Sequence, residues 1–260
     1  VLISSYLSQY KEAMLALPQD RPLLKEDLLV SDFLLASSGD LKMYYAPHNE
    51  AVNPAARVMI VGLTPGWTQM RAAYEAAVQA LRENLPETEV CLRAKAAASF
   101  AGTMRTNLTQ MLDGLGLPEL LGIGSASGLF RERSLLHTTS LLRFPVFAAG
   151  RNYSGSHPRL LASDFLRETA LASVASELTA VGNALIIPLG AAVEEVFGRL
   201  VRDGILDEAR CLWGFPHPSG ANGHRHKQFQ DRKEQMKQRL ERFLRIKLQS
   251  DQRRRRIADQ

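Results

Sequence analysis

Residues 58–66 read Val58-Met59-Ile60-Val61-Gly62-Leu63-Thr64-Pro65-Gly66. Four consecutive apolar residues predict a short strand covered on both faces, as inside a parallel sheet. Gly62 to Gly66 cannot extend that strand, because Pro65 has no amide proton and the glycines favour a turn. Beyond the turn, Gln69 to Glu83 is rich in Ala and sets Met70, Ala73, Ala77 and Leu81 on one side, which predicts a helix. Strand, tight turn and helix in this order begin a unit of alternating strands and helices.

The alternation continues outward. Residues 93–115 are helical in pattern, and a Gly-rich loop runs from Gly122 to Gly128. Leu135 to Leu142 is the second predicted strand, followed by a long loop, Phe144 to Pro158, and a helix from Leu160 to Val181. Ala184 to Leu189 is the third strand, closed by Gly190, with a helix from Ala191 to Val201. Ala209 to Trp213 reads as a short fourth strand, and a terminal helix over Gln228 to Leu248 carries the stripe Phe229, Met236, Leu240, Phe243 and Leu244. Upstream, residues 1–40 read as two helices packed over the sheet, and 43–57 as a loop. The whole predicts an α/β fold, a three-layer α/β/α sandwich with a short, mostly parallel central sheet. One domain is expected over 1–248, N-terminal helices included, with a basic tail at 249–260. Sheets of this kind place their sites beyond the C-terminal strand ends.

Of the 260 residues, 45% are hydrophobic and 23% charged, the balance of a soluble globular protein rather than a disordered one. No apolar run has the length of a membrane span. The first apolar stretch is interrupted by Gln9, Lys11 and Glu12 and lacks a basic lead, so no signal peptide and a cytoplasmic location are expected. Two cysteines, Cys91 and Cys211, are too few for a four-cysteine zinc or iron–sulfur site. With no clustered carboxylates and no metal-ligand spacing, no metal and no cofactor are expected. The net charge of +5 is uneven: from His224 onward thirteen Lys and Arg face five Asp and Glu, which leaves the rest of the chain acidic. A basic arm of this kind suits a polyanion such as nucleic acid, and equally suits a solvated helix.

Two loops after predicted strands carry the chemistry. Gly62 to Gly66 has neither the G-x-G-x-x-G pattern nor the lysine of a P-loop, which leaves a tight turn or a different kind of site. In the second loop, His217 stands between Pro216 and Pro218, in a segment that continues Ser219-Gly220-Ala221-Asn222-Gly223. Prolines on both sides restrict the backbone, so the imidazole can be aimed accurately. The pair GLTPG and HPSGANG, in this order and spacing, resembles the two signature motifs of the uracil-DNA glycosylase superfamily. The resemblance runs from about Tyr44 to Phe243 and is greatest to little-characterised bacterial and phage-related members with a VGxTPG and HPSGANG pair.

The resemblance implies a metal-independent DNA glycosylase that flips a pyrimidine out of DNA and hydrolyses its N-glycosidic bond. His217 would donate to the pyrimidine O2 as charge develops there. Thr64 stands where better-known branches carry an Asp or Asn that handles the attacking water, and its hydroxyl can orient water without acting as a base. Gly62, Leu63, Pro65 and Gly66 would border the base, with Phe100 as stacking aromatic. Trp67 is a second wall candidate, or else a cover for the sheet. Ser140 falls where the family has an Asn that reads the base edge, and Asn152 and Tyr153 on the next loop are candidates to supply contacts. Arg105, Arg143, Ser219, Gly220, Asn222, Arg225 and the run Arg253, Arg254, Arg255 and Arg256 are the expected DNA contacts. Thr64 and Ser140 favour a modified or bulky cytosine or uracil derivative, with a role in defence against phage carrying modified DNA. The alternatives are ordinary uracil excision in base-excision repair, or a catalytically weak DNA-binding member of the fold. DNA is the expected partner of a monomer that does not enter a membrane.

Overall fold

The computed structural model describes residues 1–258, with side chains described through Arg245. In chain order its elements begin with helices α1 (Tyr6–Leu15) and α2 (Lys25–Leu28) and strands β1 (Leu34–Ser38), β2 (Leu41–Tyr44) and β3 (Val58–Gly62). Helices α3 (Trp67–Arg82), α4 (Glu87–Ala98), α5 (Thr103–Leu115), α6 (Leu117–Leu121) and α7 (Ser127–Glu132) follow. Then come strands β4 (Leu136–Ser140), β5 (Val146–Ala148) and β6 (Arg151–Asn152), helix α8 (Asp164–Val181), strand β7 (Leu185–Pro188), and helices α9 (Ala191–Arg202) and α10 (Arg225–Ala258).

The central sheet is parallel, in the order β4-β3-β7, with Gly62 opposite Ser140 and Val61 opposite Pro188. Because side chains alternate along a strand, β3 feeds two cores. Met59 and Val61 join Ile186 against Leu166, Ala170 and Val174 of α8 and Val193, Val196 and Phe197 of α9. Val58 and Ile60 join Leu185 and Ile187 against Leu108 and Leu112 of α5 and Phe229, Met236 and Leu240 of α10. Helices therefore cover both faces, and the fold is the α/β/α sandwich the alternation predicts. Among the described residues no helix is long and apolar enough to cross a membrane.

Six local expectations are corrected. The N-terminal helices do not lie over the central sheet. Leu7, Met14 and Leu28 pack instead with Met70, Ala73, Tyr74 and Ala77 of α3 in a third core. The segment after α2 is a hairpin, β1 against β2, closed by Gly39-Asp40 with Gly39 at φ +57°. Gly-Asp between two apolar runs is a hairpin signal, and it outweighs the helical spacing of Leu28, Leu29, Phe33 and Leu34. The long loop after β4 contributes β5 and β6, which complete a second sheet in the order β1-β2-β5-β6. The helical region 93–115 is two helices, broken where Phe100 (φ +50°) and Gly102 (φ +78°) leave right-handed space. The fourth strand shrinks to one bridge, Cys211 beside Ile186, because a 3-10 turn occupies Glu208–Arg210. The terminal helix starts at Arg225 and passes Leu248 without a break.

Candidate functional site

The three parallel strands end at one cleft of about 510 Å³. Gly62, Leu63, Thr64 and Gly66 line it after β3, Ser140 at the end of β4, and Leu189 to Val193 after β7. Phe100 and Met104 come from the break between α4 and α5, Asn152 to Ser154 from β6 and its loop, and His217, Ser219, Ala221 and Asn222 from the loop before α10. None of these side chains is ionised at neutral pH, and the polar ones are hydroxyls, amides and one imidazole.

His217 is held from several directions. Gly190 takes φ +85°, and a Cβ there would stand 3.1 Å from the His217 Cβ, so the glycine makes room for the histidine. The Gly190 N–H donates to Phe215 O at 2.9 Å, tying the loop to the end of β7. Asn107 Nδ2 donates to Pro218 O at 2.8 Å and Asn222 Nδ2 to His217 O at 3.1 Å. The Ser219 N–H donates to His217 Nδ1 at 3.3 Å, so Nδ1 is the acceptor and the neutral ring carries its proton on Nε2. Burial lowers the imidazole pKa from its ordinary value, which favours this neutral form. The cleft thus holds a neutral N–H donor.

The Thr64 hydroxyl donates to Phe144 O at 3.2 Å and accepts the Val146 N–H at 3.0 Å. Its one proton is spent on tethering the start of β5, and one lone pair remains for a water proton. Phe100 is buried, stands edge-on to Phe130 at 6.5 Å, and lies with Ser140 beside the bare Cα of Gly62. Ser140 is 7% exposed, and its hydroxyl has no partner among the described residues.

Other expected site residues sit elsewhere or are engaged. Pro65 is buried and does not line the cleft. Trp67 packs with the α1–α3 core, so the covering role is the one it takes, over that core rather than over the sheet. Arg105 donates to the carbonyls of Ala96, Ala97 and Ser99 at 2.7–3.1 Å, closing the C-terminal turn of α4 beside Phe100. Arg143 pairs with Glu177 at 3.3 Å and donates to Ser176 Oγ at 2.7 Å. Tyr153 lines the cleft with its ring while its hydroxyl donates to Pro158 O at 2.6 Å. Arg225 donates to Asn222 O at 3.2 Å, and Ser219 Oγ accepts the Ala221 N–H at 3.2 Å, both bracing the loop around exposed Gly220. The side chains of Arg253, Arg254, Arg255 and Arg256 lie outside the described residues. Sequence reasoning missed Gln69, Met104 and the turn Leu189 to Val193. The turn was within reach, since it follows a predicted strand and Gly190 closes it.

A family model described as the uracil DNA glycosylase superfamily matches residues 50–244. The chain is 44% identical over 245 residues to the uncharacterized protein YoxB of Bacillus subtilis (strain 168), covering 94% of this chain and 95% of that one. No solved structure matches the chain. The matched span holds the whole parallel sheet and every residue that lines the cleft, including both loops whose motifs carry the resemblance. By that match, the chain belongs to the uracil DNA glycosylase superfamily.

Proposed function

We propose that the protein is a DNA glycosylase that hydrolyses the N-glycosidic bond of an extrahelical pyrimidine. One observation carries this reading: a neutral imidazole donor, His217, held still in an uncharged cleft that also presents an aromatic ring, Phe100. As the C1′–N1 bond breaks, its electron pair moves onto the base and negative charge grows on O2. A fixed N–H donor stabilises that charge only as it develops, which is the requirement for rate acceleration. Water then adds to the electron-poor C1′ and releases its proton to solvent, leaving an abasic sugar and the free base. Among the described residues no carboxylate lines the cleft to deprotonate the water, so bond breaking runs ahead of attack. Thr64 orients the water by accepting a hydrogen bond from it on its remaining lone pair.

Within this reading the base carries an added group at C5. The small Ser140, the bare Gly62 and the breadth of the cleft support it, and a role in defence against phage with modified DNA fits such a substrate. A catalytically weak DNA-binding protein is the second reading, favoured by the commitment of the Thr64 proton. The test is a panel of DNAs holding uracil, thymine, cytosine and their 5-substituted derivatives, assayed in single turnover for abasic sites. Release of a modified base faster than uracil supports the reading in full. Uracil released fastest of all leaves the glycosylase and removes the modified base. No abasic site from any DNA, with DNA binding intact, favours the second reading.

A further inference from the structure

Asn152 reaches the cleft from β6, outside the parallel sheet, and the two ends of its amide are not equivalent. Its Oδ1 accepts the Trp67 N–H at 3.0 Å, at the first residue of α3. One residue earlier, the Gly66 N–H donates to Gln69 Oε1 at 2.9 Å. A backbone N–H can be met only by the oxygen of an amide, so both side chains leave an NH2 group as the remaining polar end. Gly66 sets the position of the first one: a Cβ there would stand 3.1 Å from Asn152 Nδ2 and 3.5 Å from Cγ. The bare Cα lets the amide lie along the cleft wall. This wall of pinned donors shares the cleft with the His217 donor.

We infer that Asn152 is a specificity-determining residue, whose Nδ2–H reads a carbonyl oxygen on the edge of the pyrimidine. The inference rests on the glycosylase reading above. A uracil- or thymine-type base offers an oxygen at position 4, whereas a cytosine-type base offers an amino group. An amino group against a fixed donor leaves both unpaired, and this disfavours the 4-amino base by about tenfold or more. Among the described residues no Lys or Arg lines the cleft, so the wall suits a neutral carbonyl oxygen better than a phosphate oxygen. Asn152 thus takes up, from another sheet, the reading that the short Ser140 hydroxyl does not perform.

The test is Asn152→Asp. This substitution keeps an oxygen for the Trp67 N–H, at a helix N-terminus that tolerates negative charge, and turns the remaining donor of this exposed side chain at the cleft border into an acceptor. Binding is measured with oligonucleotides holding 2′-fluoro-2′-deoxyuridine or 2′-fluoro-2′-deoxycytidine, which resist cleavage, and excision is measured on the matched deoxy pairs. The parent is expected to bind the 4-keto member at least tenfold tighter, and N152D to lose most of that preference with its melting temperature within a few degrees of the parent. A parent ratio near one overturns the inference, as does an unchanged ratio in N152D. An equal loss of affinity for both members also overturns it, and assigns Asn152 to backbone contact or folding. Excision without 4-keto preference sinks this inference and leaves the glycosylase. A binding preference that N152D abolishes, with no base released from any DNA, sinks the glycosylase and leaves base selection by Asn152.

Discussion

Strand β4 meets two environments of opposite electrical character. At its end, Ser140 opens into a cleft whose lining holds no ionised side chain among the described residues. Earlier in the same strand, His137 and Thr139 turn toward a fully buried carboxylate, Glu177 of α8. His137 Nε2 donates to it at 2.7 Å and Thr139 Oγ1 at 2.8 Å, and Arg143 pairs with it at 3.3 Å. Lys95 of α4, close enough to feel the Glu177 charge, donates to Ala51 O at 2.7 Å, and its burial brings its pKa down to about 7. Burial by itself raises the Glu177 carboxyl, yet the His137 hydrogen bond and the charges of His137, Lys95 and Arg143 hold it below the usual carboxylate range.

The contrast separates two uses of polarity. Glu177 sits where β4 has no strand partner, and there its hydrogen bonds and ion pair tie α8 to the strand edge, while Lys95 ties α4 to the segment before β3. The cleft instead holds neutral donors. A glycosidic bond that breaks toward a base anion needs donors that gain strength in the transition state, and a nearby carboxylate would oppose that charge. Substitutions in the two regions should therefore fail in different assays.

The largest effect should come from Glu177→Ala. Removing the anion leaves Arg143 and Lys95 uncompensated, and breaking a buried pair in this way costs about 3–5 kcal/mol. Urea unfolding should show the loss, while the folded fraction keeps the excision rate of the parent within a few fold. A stability change under about 1 kcal/mol would mean that the buried charges do not hold the strand edge.

His217→Ala should do the reverse. Losing one well-placed donor costs about 3 kcal/mol of transition-state stabilisation, roughly a hundredfold or more in single-turnover rate. Stability and DNA affinity should stay near the parent. If His217→Ala cleaves normally while Thr64→Ala is inactive, the roles assigned to the two residues are exchanged.

Gly190→Ala tests the joint between β7 and the His217 loop. Gly190 combines φ +85° with ψ 165°, backbone that only glycine adopts readily, and a residue with a Cβ there costs about 1–3 kcal/mol. The new methyl also pushes on His217 from 3.1 Å. Displacing the donor by a few tenths of an ångström should slow excision by roughly tenfold, since a misplacement of about 1 Å costs roughly a hundredfold. Parent-like kinetics in a well-folded variant would show that the loop absorbs the push.

Thr64→Val should be milder in rate and visible in stability. It leaves the Val146 N–H without its acceptor, at a cost of about 1–3 kcal/mol. Excision should fall less than tenfold, and Thr64→Ser should restore both quantities. A rate loss as large as that of His217→Ala would make handling of the water the main catalytic device.

The smallest effect concerns Lys95 and pH. Its pKa in the folded chain, about 7, lies below the ordinary lysine value, so the unfolded chain binds more protons between the two. The cost of burying the ammonium is fully present below pH 7 and is relieved as pH rises above it. Stability should therefore climb from about pH 7 to 8, before the cysteines of the unfolded chain begin to ionise near about 8.5 and oppose the rise. Lys95→Met should flatten that rise, and a parent curve already flat over this range would show that Lys95 stays protonated.

Much of this was legible in the residues. Val58 to Val61 had to be a strand with two buried faces, and the alternation of strands and helices required helices on both sides. The first motif loop follows β3 and the second follows the Cys211 bridge, which runs parallel to β7, so their meeting at one sheet end follows from parallel topology. The N-terminal hairpin was written as Gly39-Asp40 and passed over, because the apolar spacing around it also suits a helix. Arg105 and Arg143 show what a sequence withholds about a basic side chain. A basic side chain near a motif looks like a phosphate ligand, and nothing local in the sequence announces the carbonyls or the carboxylate that will claim it.

What the chain states in one dimension is periodicity, turn chemistry and the two short motifs. These follow from local sterics and from the alternation of apolar residues, so the layers, the sheet and His217 could be read directly. Which polar groups stay free could not be read in this way. Arg105 closes α4, Arg143 serves Glu177, the Thr64 proton goes to Phe144, and Asn152 keeps only its NH2 for the cleft. Hydrogen-bond capacity is finite, and its allocation depends on which backbone donors and acceptors the packed fold brings alongside each side chain.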